Sequence, residues 1–183
     1  MKAGFLKGKA IYLRPILPDD FNGEYLDWIN AQESDIYSEH AIFPHTLENL
    51  KRYAQDKSND PNTIWLAIVK IDDDTHIGNI EMSDINWIHR SINFTGILIG
   101  KRHHGKGYAT EALNLLCGHV FEKLNLHRIY MVGIHEENDA SRRMCEKCGF
   151  REEGRLRESL LKNETYKDAV VMGLLSSEFK KKV

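Results

Sequence analysis

Hydrophobic residues follow two different periods along this chain, and the change of period separates predicted strands from predicted helices. Short runs of β-branched and aromatic residues predict strands over residues 10–15, 64–70, 76–82, 92–99, 128–134, 156–161 and 166–175. Hydrophobic residues spaced three or four positions apart predict helices over residues 18–29, after Thr46, and over residues 108–124 and 138–148. The order of elements predicts an α/β (α+β) fold, in which helices flank a mixed, mostly antiparallel sheet of six to seven strands.

Two glycines in this pattern predict local backbone features. Gly96 lies inside the strand of residues 92–99, where a glycine is typical of a bulge or of a close backbone approach. Gly149 follows the helix of residues 138–148 and precedes Phe150, which is typical of a left-handed C-terminal cap with its hydrophobic contact.

Length and composition are those of an ordinary globular protein. A chain of 183 residues, 42% of them hydrophobic, is long enough to form one domain over 1–183 without stabilising metals or disulfides. The sequence has no signal-peptide pattern and no run long and apolar enough for a membrane helix, so we expect a cytoplasmic protein with no membrane partner. The net charge of -2 argues against nucleic acid as the main partner. A homodimer is the candidate assembly.

The three cysteines predict neither a disulfide framework nor a metal site. Cys145 and Cys148 form a CxxC pair, but the pair lies just before the predicted helix cap. Redox pairs lie at helix N-termini, where the dipole lowers the thiol pKa. No second pair completes a zinc site, so we expect no metal, and Cys117 is interpreted as a small core residue.

A glycine-rich turn between the strand of residues 92–99 and the helix of residues 108–124 predicts an anion site. Glycines let backbone N–H groups approach a phosphate where the helix dipole is positive, and Arg102 adds positive charge. A P-loop would need Ser or Thr where Gly107 stands, and a dinucleotide fingerprint would need Gly or Ala where Thr110 stands. Both classes are therefore disfavoured.

The turn has a more specific counterpart in a known family. Arg102-x-x-Gly105-x-Gly107 resembles the Gln/Arg-x-x-Gly-x-Gly/Ala motif of the GNAT superfamily of N-acetyltransferases. Residues 105–112, 138–141, 148–154 and 166–168 resemble the ribosomal-protein acetyltransferase (RimJ/RimL) branch, and residues 85–90, 124–130 and 149–154 also resemble spermidine acetyltransferases. The resemblance implies the GNAT fold, splayed between its two middle parallel strands, with acetyl-CoA as co-substrate.

The resemblance also assigns residues to acetyl-CoA. The turn would hold the pyrophosphate, the preceding strand would pair with the pantetheine as an added strand, and the residue before the last helix would contact the CoA arm. The expected cofactor-binding residues are Ile97, Leu98, Ile99, Arg102, His103, His104, Gly105, Lys106, Gly107, Tyr108, Ala109 and Asn138. The alternative for His103 and His104 is a solvent-facing position in the loop.

Direct acetyl transfer requires an unprotonated amine. Because an alkylamine has a pKa of about 10.4, a group must remove a proton from the acceptor ammonium. The branch often has a glutamate in the strand before the turn, but Asn93 stands there, which leaves Glu81 on the neighbouring strand as the candidate base. Ser141 falls at the serine proposed as the acid in this branch. Cys145 replaces the tyrosine that many members use, and is the second candidate.

The acceptor is less constrained than the donor. Residues 15–50 contain eight acidic residues and no Lys or Arg, which favours a cationic amine acceptor, although solvated helix faces explain the pattern as well. The RimJ/RimL resemblance implies a protein N-terminal α-amino group, and the alternatives are a polyamine, such as spermidine, or an amino sugar. An alternative of another class is a catalytically silent CoA-binding regulatory module, which the departures at Asn93 and Cys145 favour.

Overall fold

Eight strands form one mixed sheet in the computed structural model, which describes residues 4–30 and 44–180. The sheet order is β1-β2-β3-β4-β5-β6-β8-β7, and β5 and β6 are parallel. The strands are β1 (Leu6–Lys7), β2 (Ile11–Pro15), β3 (Ile64–Lys70), β4 (His76–Asn86), β5 (Ser91–Ile99), β6 (Arg128–His135), β7 (Arg151–Lys162) and β8 (Thr165–Leu175). The predicted mixed sheet is confirmed, and the additional strand is β1, whose two residues are too few to produce a pattern.

The helices of the described residues are α1 (Tyr25–Asn30), α2 (Leu47–Asn59), α3 (Tyr108–Glu122) and α4 (Asp139–Lys147). Thr46 caps α2, because its hydroxyl accepts a hydrogen bond from the Asn49 N–H at 3.2 Å. The predicted helix over residues 18–29 is wrong in one respect. Gly23 has a non-helical backbone that ends a 3-10 turn (Pro18–Asn22) before α1 begins.

The chain divides into two compact units. Unit 1 comprises Met1–Glu81 and Gly96–Tyr108, and unit 2 comprises Met82–Thr95 and Ala109–Val183. Strands β4 and β5 each contribute residues to both units. A single domain over 1–183 stays a prediction.

Unit 1 is built on β2 and β3, which pair antiparallel from Ile11 opposite Lys70 to Pro15 opposite Leu66. A cluster of buried side chains from the 3-10 turn, α1 and α2 packs with partly buried residues that include Trp28, Trp65 and Leu98. Arg14 and Asp20 form a buried bidentate ion pair with N–O distances of 2.6 and 2.7 Å. Because both charges are paired and hydrogen-bonded, this polar contact can exist in the interior.

Unit 2 is built on α3, β6 and β8. The α3 residues Ala112, Leu113, Leu116, Cys117 and Val120 have no exposed surface, as the predicted amphipathic stripe requires. Gly149 has a φ of +100° after α4, which confirms the predicted left-handed cap. Strand β7 begins five residues before the predicted run, because charged and exposed residues follow no alternation there and its pairing with β8 defines it.

Two structural features are not found in the described parts of the chain. No helix within residues 4–30 and 44–180 is long and apolar enough to cross a membrane. Across the same residues, no cluster of three or more His, Cys, Asp and Glu side chains has a geometry that could hold a metal ion.

Candidate active site

The glycine-rich turn of unit 1 has the backbone conformation of an anion site. Gly105 and Gly107 have φ values of +74° and +83°, which side chains with a Cβ rarely adopt. Among the described residues, no atom outside the two adjacent residues lies within 4 Å of the position that a Cβ would take on either glycine. The backbone of the turn is therefore open to an approaching group, next to the N-terminal N–H groups of α3, which have no partner within the helix.

Helix α1 contacts the start of this turn at two points. The Arg102 guanidinium forms an ion pair with Glu24 at 2.6 Å, and the indole of Trp28 packs so closely on Gly100 that a Cβ there would lie 2.7 Å from it. Arg102, the first residue of the motif, is thus bound to a carboxylate rather than directed only at a ligand. Lys106, which follows Gly105 in the sequence, is exposed.

His103 and His104 take different places, and only one of them faces solvent. His103 is buried and its Nε2 accepts a hydrogen bond from the Arg102 Nε–H at 3.1 Å. Burial, together with the charges of Arg102 and Lys106, lowers the pKa of His103, so the imidazole is neutral near pH 7. His104 is exposed, and its Nε2–H donates to the carbonyl of Ile99 at 2.7 Å, because a carbonyl oxygen can only accept.

The end of β5 presents backbone groups along one edge. The parallel residue pairs between β5 and β6 run from Ser91 to Asn93, so Ile97 and Ile99 lie beyond the last pair. The Gly100 N–H donates to the Ile77 carbonyl of β4 at 2.9 Å. Because successive residues of a strand point to opposite edges, the amide groups of Ile97 and Ile99 point away from β4.

The open turn and the strand edge fit acetyl-CoA. A pyrophosphate needs converging N–H groups without Cβ obstruction, and Gly105 and Gly107 provide that space. A pantetheine arm can pair with a strand edge, and the N–H groups of Ile97 and Ile99 are in the position to donate. His104 already occupies the Ile99 carbonyl, which leaves the Ile97 carbonyl as the acceptor on this edge.

Glu81 lies on β4, the neighbour of β5 in the sheet, and it is buried. Its Oε1 accepts a hydrogen bond from Lys57 Nζ at 2.7 Å, and its Oε2 accepts one from the Tyr53 hydroxyl at 3.4 Å. Burial and the Glu81 carboxylate raise the pKa of Tyr53, so its hydroxyl stays protonated. Burial is the largest influence on the pKa of Lys57 and lowers it, but the hydrogen bond to Glu81, the negative charge of Glu81 and the contribution of Tyr53 together outweigh burial and raise the pKa.

Sequence reasoning missed both partners of Glu81. Lys57 and Tyr53 lie on α2, at separations of 24 and 28 residues from Glu81. Tyr53 recurs at helical spacing in the sequence, which indicates a residue facing the interior but not what it contacts. No sequence pattern pairs Lys57 with a strand residue.

The Ser83 and Thr95 hydroxyls, on β4 and β5, are 2.8 Å apart. Among the described residues, no atom outside the neighbouring residues lies within 4 Å of the position that a Cβ on Gly96 would take, so a close backbone approach is not observed there. A bulge at Gly96 stays a prediction.

Asn93, at the position where the resembling branch often has glutamate, is a β5 residue of unit 2. It pairs with Tyr130 in the parallel ladder. Its side-chain Oδ1 is buried, and none of the residues described in the structure bonds to it. An amide cannot take up a proton near neutral pH, so Asn93 offers a hydrogen-bonding group and not a base.

The remaining candidates lie on or beside α4 in unit 2. The Asn138 Oδ1 accepts a hydrogen bond from the Ser141 N–H at 3.0 Å, so Asn138 is the N-cap of α4. Ser141 is half-buried. Cys145 has no exposed surface, and burial, with smaller contributions from Cys148 and Glu146, raises the pKa of its thiol to about 12.

The acidic segment is partly neutralised within the described residues. Asp20 is paired with Arg14 and Glu24 with Arg102, whereas Asp27 is exposed. Three acidic residues of the segment lie outside the described residues, namely Glu33, Asp35 and Glu39. At the hairpin after β4, Trp87 is 54% exposed.

Comparison with known proteins gives one family. The family model that describes the acetyltransferase (GNAT) domain matches residues 10–151. Spermidine N(1)-acetyltransferase from Vibrio cholerae is 41% identical over 103 residues, which are 56% of this chain and 58% of that protein. The match therefore spans little more than half the length of that relative.

Other relatives cover more of the chain or differ in name. A probable N-acetyltransferase from Bacillus subtilis is 29% identical over 180 residues, 94% of this chain and 98% of that protein. A putative ribosomal N-acetyltransferase from the same organism is 33% identical over 102 residues, 56% of this chain and 55% of that protein. The crystal structure of spermidine N-acetyltransferase from Vibrio cholerae in complex with CoA and spermine has a TM-score of 0.82 and 29% identity, and covers 93% of this chain and 98% of that one.

Proposed function

The chain belongs to the acetyltransferase (GNAT) family, and we propose that it transfers the acetyl group of acetyl-CoA to a primary amine of a polyamine. The similarity to spermidine acetyltransferases carries this proposal. It favours the polyamine alternative over the protein N-terminal α-amino group that the RimJ/RimL resemblance implies. Buried Glu81 and exposed Asp27 supply negative charge in unit 1 that suits a cationic acceptor.

The donor side of the reaction rests on the backbone of unit 1. Acetyl-CoA supplies an activated thioester carbonyl when it is bound. The N–H groups around Gly105 and Gly107 hold its pyrophosphate, and Lys106 adds positive charge. The N–H groups of Ile97 and Ile99 align the pantetheine arm and polarise the carbonyl.

Glu81 is the base that we propose for the acceptor. The amine arrives as an ammonium with a pKa of about 10.4 and must lose a proton before it attacks the thioester carbonyl. Glu81 is a carboxylate on the strand beside β5, and it takes this proton directly or through one water. Asn93, which has no ionisable group, hydrogen-bonds the acceptor at most.

Ser141 is the acid that we propose for the departing thiolate. Its hydroxyl lies in the first turn of α4, and it is half-buried. The Cys145 thiol also keeps its proton at neutral pH, because its pKa is about 12. Its side chain has no exposed surface, so it reaches no ligand without a rearrangement, and Ser141 ranks first.

A protein α-amino group is the second candidate acceptor. The similarity to a putative ribosomal N-acetyltransferase favours it. An N-terminal amine carries a single charge and is attached to a chain that must itself be bound, whereas a polyamine brings several charges on a slender, flexible chain.

Thiol release from acetyl-CoA tests the proposal. Spermidine, spermine, an amino sugar and peptides with free N-termini are each supplied to the protein, and the acetylated product is identified by mass spectrometry. We expect turnover with the polyamines and a loss of about a hundredfold in Glu81→Gln. Acetyl-CoA binding without turnover on any acceptor would establish the silent regulatory module instead.

A further inference from the structure

The Glu81 carboxylate of unit 1 already holds a cation that belongs to the chain. Lys57 Nζ lies 2.7 Å from Glu81 Oε1, and the exposed fractions of the two side chains are 24% and 11%. The Lys57 ammonium also lies 5.3 Å from the centre of the Tyr53 ring. A primary ammonium on a flexible chain thus occupies the carboxylate that we assign to the acceptor amine.

The chemistry of Lys57 is that of the proposed acceptor. A polyamine presents a terminal ammonium on a short methylene chain, and the lysine side chain presents the same group on four methylenes. Both would bind Glu81 through one charge-assisted hydrogen bond. The two ammonium groups therefore compete for one carboxylate.

The Lys57 ammonium can be replaced on Glu81 by another ammonium more easily than Arg14 can be replaced on Asp20. Arg14 binds Asp20 through two parallel bonds, and both side chains are 6% exposed. Lys57 binds Glu81 through a single bond and is about four times as exposed. A single point charge near the surface is released more easily than a planar guanidinium held at two points.

Lys57 also has a second carboxylate nearby. Asp60 follows it at the C-terminus of α2, and the charge of Lys57 contributes to the lowered pKa of Asp60, after the bonds from Thr63 and Asn62. A lysine released from Glu81 therefore remains close to a negative charge at the surface.

On these contacts, and on the proposed function, we propose that Lys57 competes with the acceptor ammonium for Glu81 and thereby sets how tightly an amine must bind to become an acceptor. In the free protein Lys57 holds Glu81. An acceptor binds when its ammonium replaces that of Lys57. The exchange substitutes one ammonium for another, so the acceptor must gain its affinity from further charges or contacts. Lys57 thereby lowers the affinity of every primary amine by the same factor, and an amine with no further charge or contact is left with the weakest binding.

Calorimetric titration with spermidine, in the absence of acetyl-CoA, tests the competition. In Lys57→Met the affinity for spermidine should rise about tenfold, since the carboxylate is no longer occupied. Lys57→Arg keeps a cation on Glu81 and should not show the gain. Lys51→Met changes the net charge by the same amount on the exposed side of α2 and serves as the matched control.

A second pair of variants keeps the test independent of stability. Lys57→Gln retains a hydrogen-bond donor toward Glu81, and it replaces Lys57→Met if that variant does not fold. In the double variant that combines Lys57→Met with Glu81→Gln, the gain in spermidine affinity should disappear, because the competition requires the Glu81 carboxylate. n-Butylamine should bind Lys57→Met measurably and the wild type about tenfold more weakly.

The outcomes separate this inference from the proposed function. Equal spermidine affinity in the wild type and Lys57→Met, including no measurable binding to either, would overturn the role of Lys57. If Lys57→Met gains affinity through Glu81 but neither protein acetylates a polyamine, the proposed function fails and the competition stands. If the wild type acetylates polyamines and Lys57→Met binds them no better, the function stands and the competition fails.

Discussion

At the scale of single residues, ion pairs within the protein determine which carboxylates of unit 1 can bind a ligand. Asp20 is held by Arg14, Glu24 by Arg102 and Glu81 by Lys57. The Arg14 pair is buried and bidentate, so it is structural. The Lys57 pair is single and partly exposed, which makes Glu81 a buried carboxylate that can change partners.

Asp20 gives the first prediction, which concerns stability and pH. Burial alone would raise its pKa, but the bonds from Arg14 and the Leu17 N–H outweigh burial, and the pKa is lowered. A lowered folded pKa adds stability above the unfolded value of about 4, and this stability is lost as the pH falls through the folded pKa. Asp20→Asn should reduce the free energy of unfolding by about 3 kcal/mol at neutral pH.

Urea unfolding from neutral pH down to about pH 3 measures this effect. The wild type should lose stability over the acid range, and Asp20→Asn should show a shallower decline. Asp19→Asn, on the exposed neighbour, is the control. Parallel pH curves for the wild type and Asp20→Asn would contradict the assignment.

Gly107 gives the second prediction at this scale. Its φ of +83° strains any residue with a Cβ, although the space around it is open. Gly107→Ala therefore tests backbone conformation without a clash, and a cost of about 1–2 kcal/mol should weaken CoA binding about tenfold. Titration calorimetry with CoA measures the change, and Gly154→Ala, at an open position without a positive φ, should leave it unaltered. Unchanged affinity in Gly107→Ala would mean that the turn does not hold the pyrophosphate.

At the scale of elements, the N-terminus of α4 combines a structural and a proposed binding role in one residue. The Asn138 oxygen caps the helix through the Ser141 N–H, while the amide nitrogen of Asn138 takes no part in this bond. The two ends of the side chain can therefore be separated by substitution.

Substitutions of Asn138 separate capping from CoA binding. Asn138→Ala removes the cap and should lower the free energy of unfolding by about 1 kcal/mol, whereas Asn138→Asp retains an oxygen and should not. Both variants lack the amide N–H₂ and should bind CoA more weakly. Thermal unfolding and CoA titration measure the two effects. A normal CoA affinity in Asn138→Asp would remove the residue from the binding site.

Sequence patterns predict elements here wherever burial selects the residue types. The α3 stripe follows from burial at helical spacing, and strands β2 to β6 follow from runs of β-branched and aromatic residues. The turn at Gly105 and Gly107 follows from residue types that permit positive φ. Strand β7 is longer than predicted because its charged residues are exposed on both faces and leave no period. The pair of Lys57 and Glu81 depends on how α2 packs on the sheet, which local sequence does not encode.

At the scale of the whole molecule, charge distribution is more informative than the net charge of -2. Lys and Arg are absent from residues 15–50, and the basic residues near the turn fall at positions 101, 102 and 106. The two groups of charges meet where Glu24 pairs with Arg102. Exposed acidic residues of the segment, such as Asp27, remain to attract a cationic acceptor.

Ionic strength tests this attraction. A trivalent acceptor feels the field of the acidic region more strongly than a monovalent one, and salt screens that field over about 8–10 Å. The KM for spermidine should rise more steeply with salt than the KM for n-butylamine, at saturating acetyl-CoA. Equal salt dependence for the two amines would show that long-range charge plays no part in acceptor binding.

A competition assay tests the central claim most directly. The protein is supplied with acetyl-CoA and equal concentrations of spermidine and of a peptide with a free N-terminus, and the acetylated products are quantified by mass spectrometry at low conversion. The product ratio equals the ratio of the two kcat/KM values. We expect acetylated spermidine to exceed acetylated peptide by at least about tenfold, which corresponds to about 1.4 kcal/mol in favour of the polyamine. Predominant acetylation of the peptide, with spermidine left unmodified, would contradict the polyamine assignment.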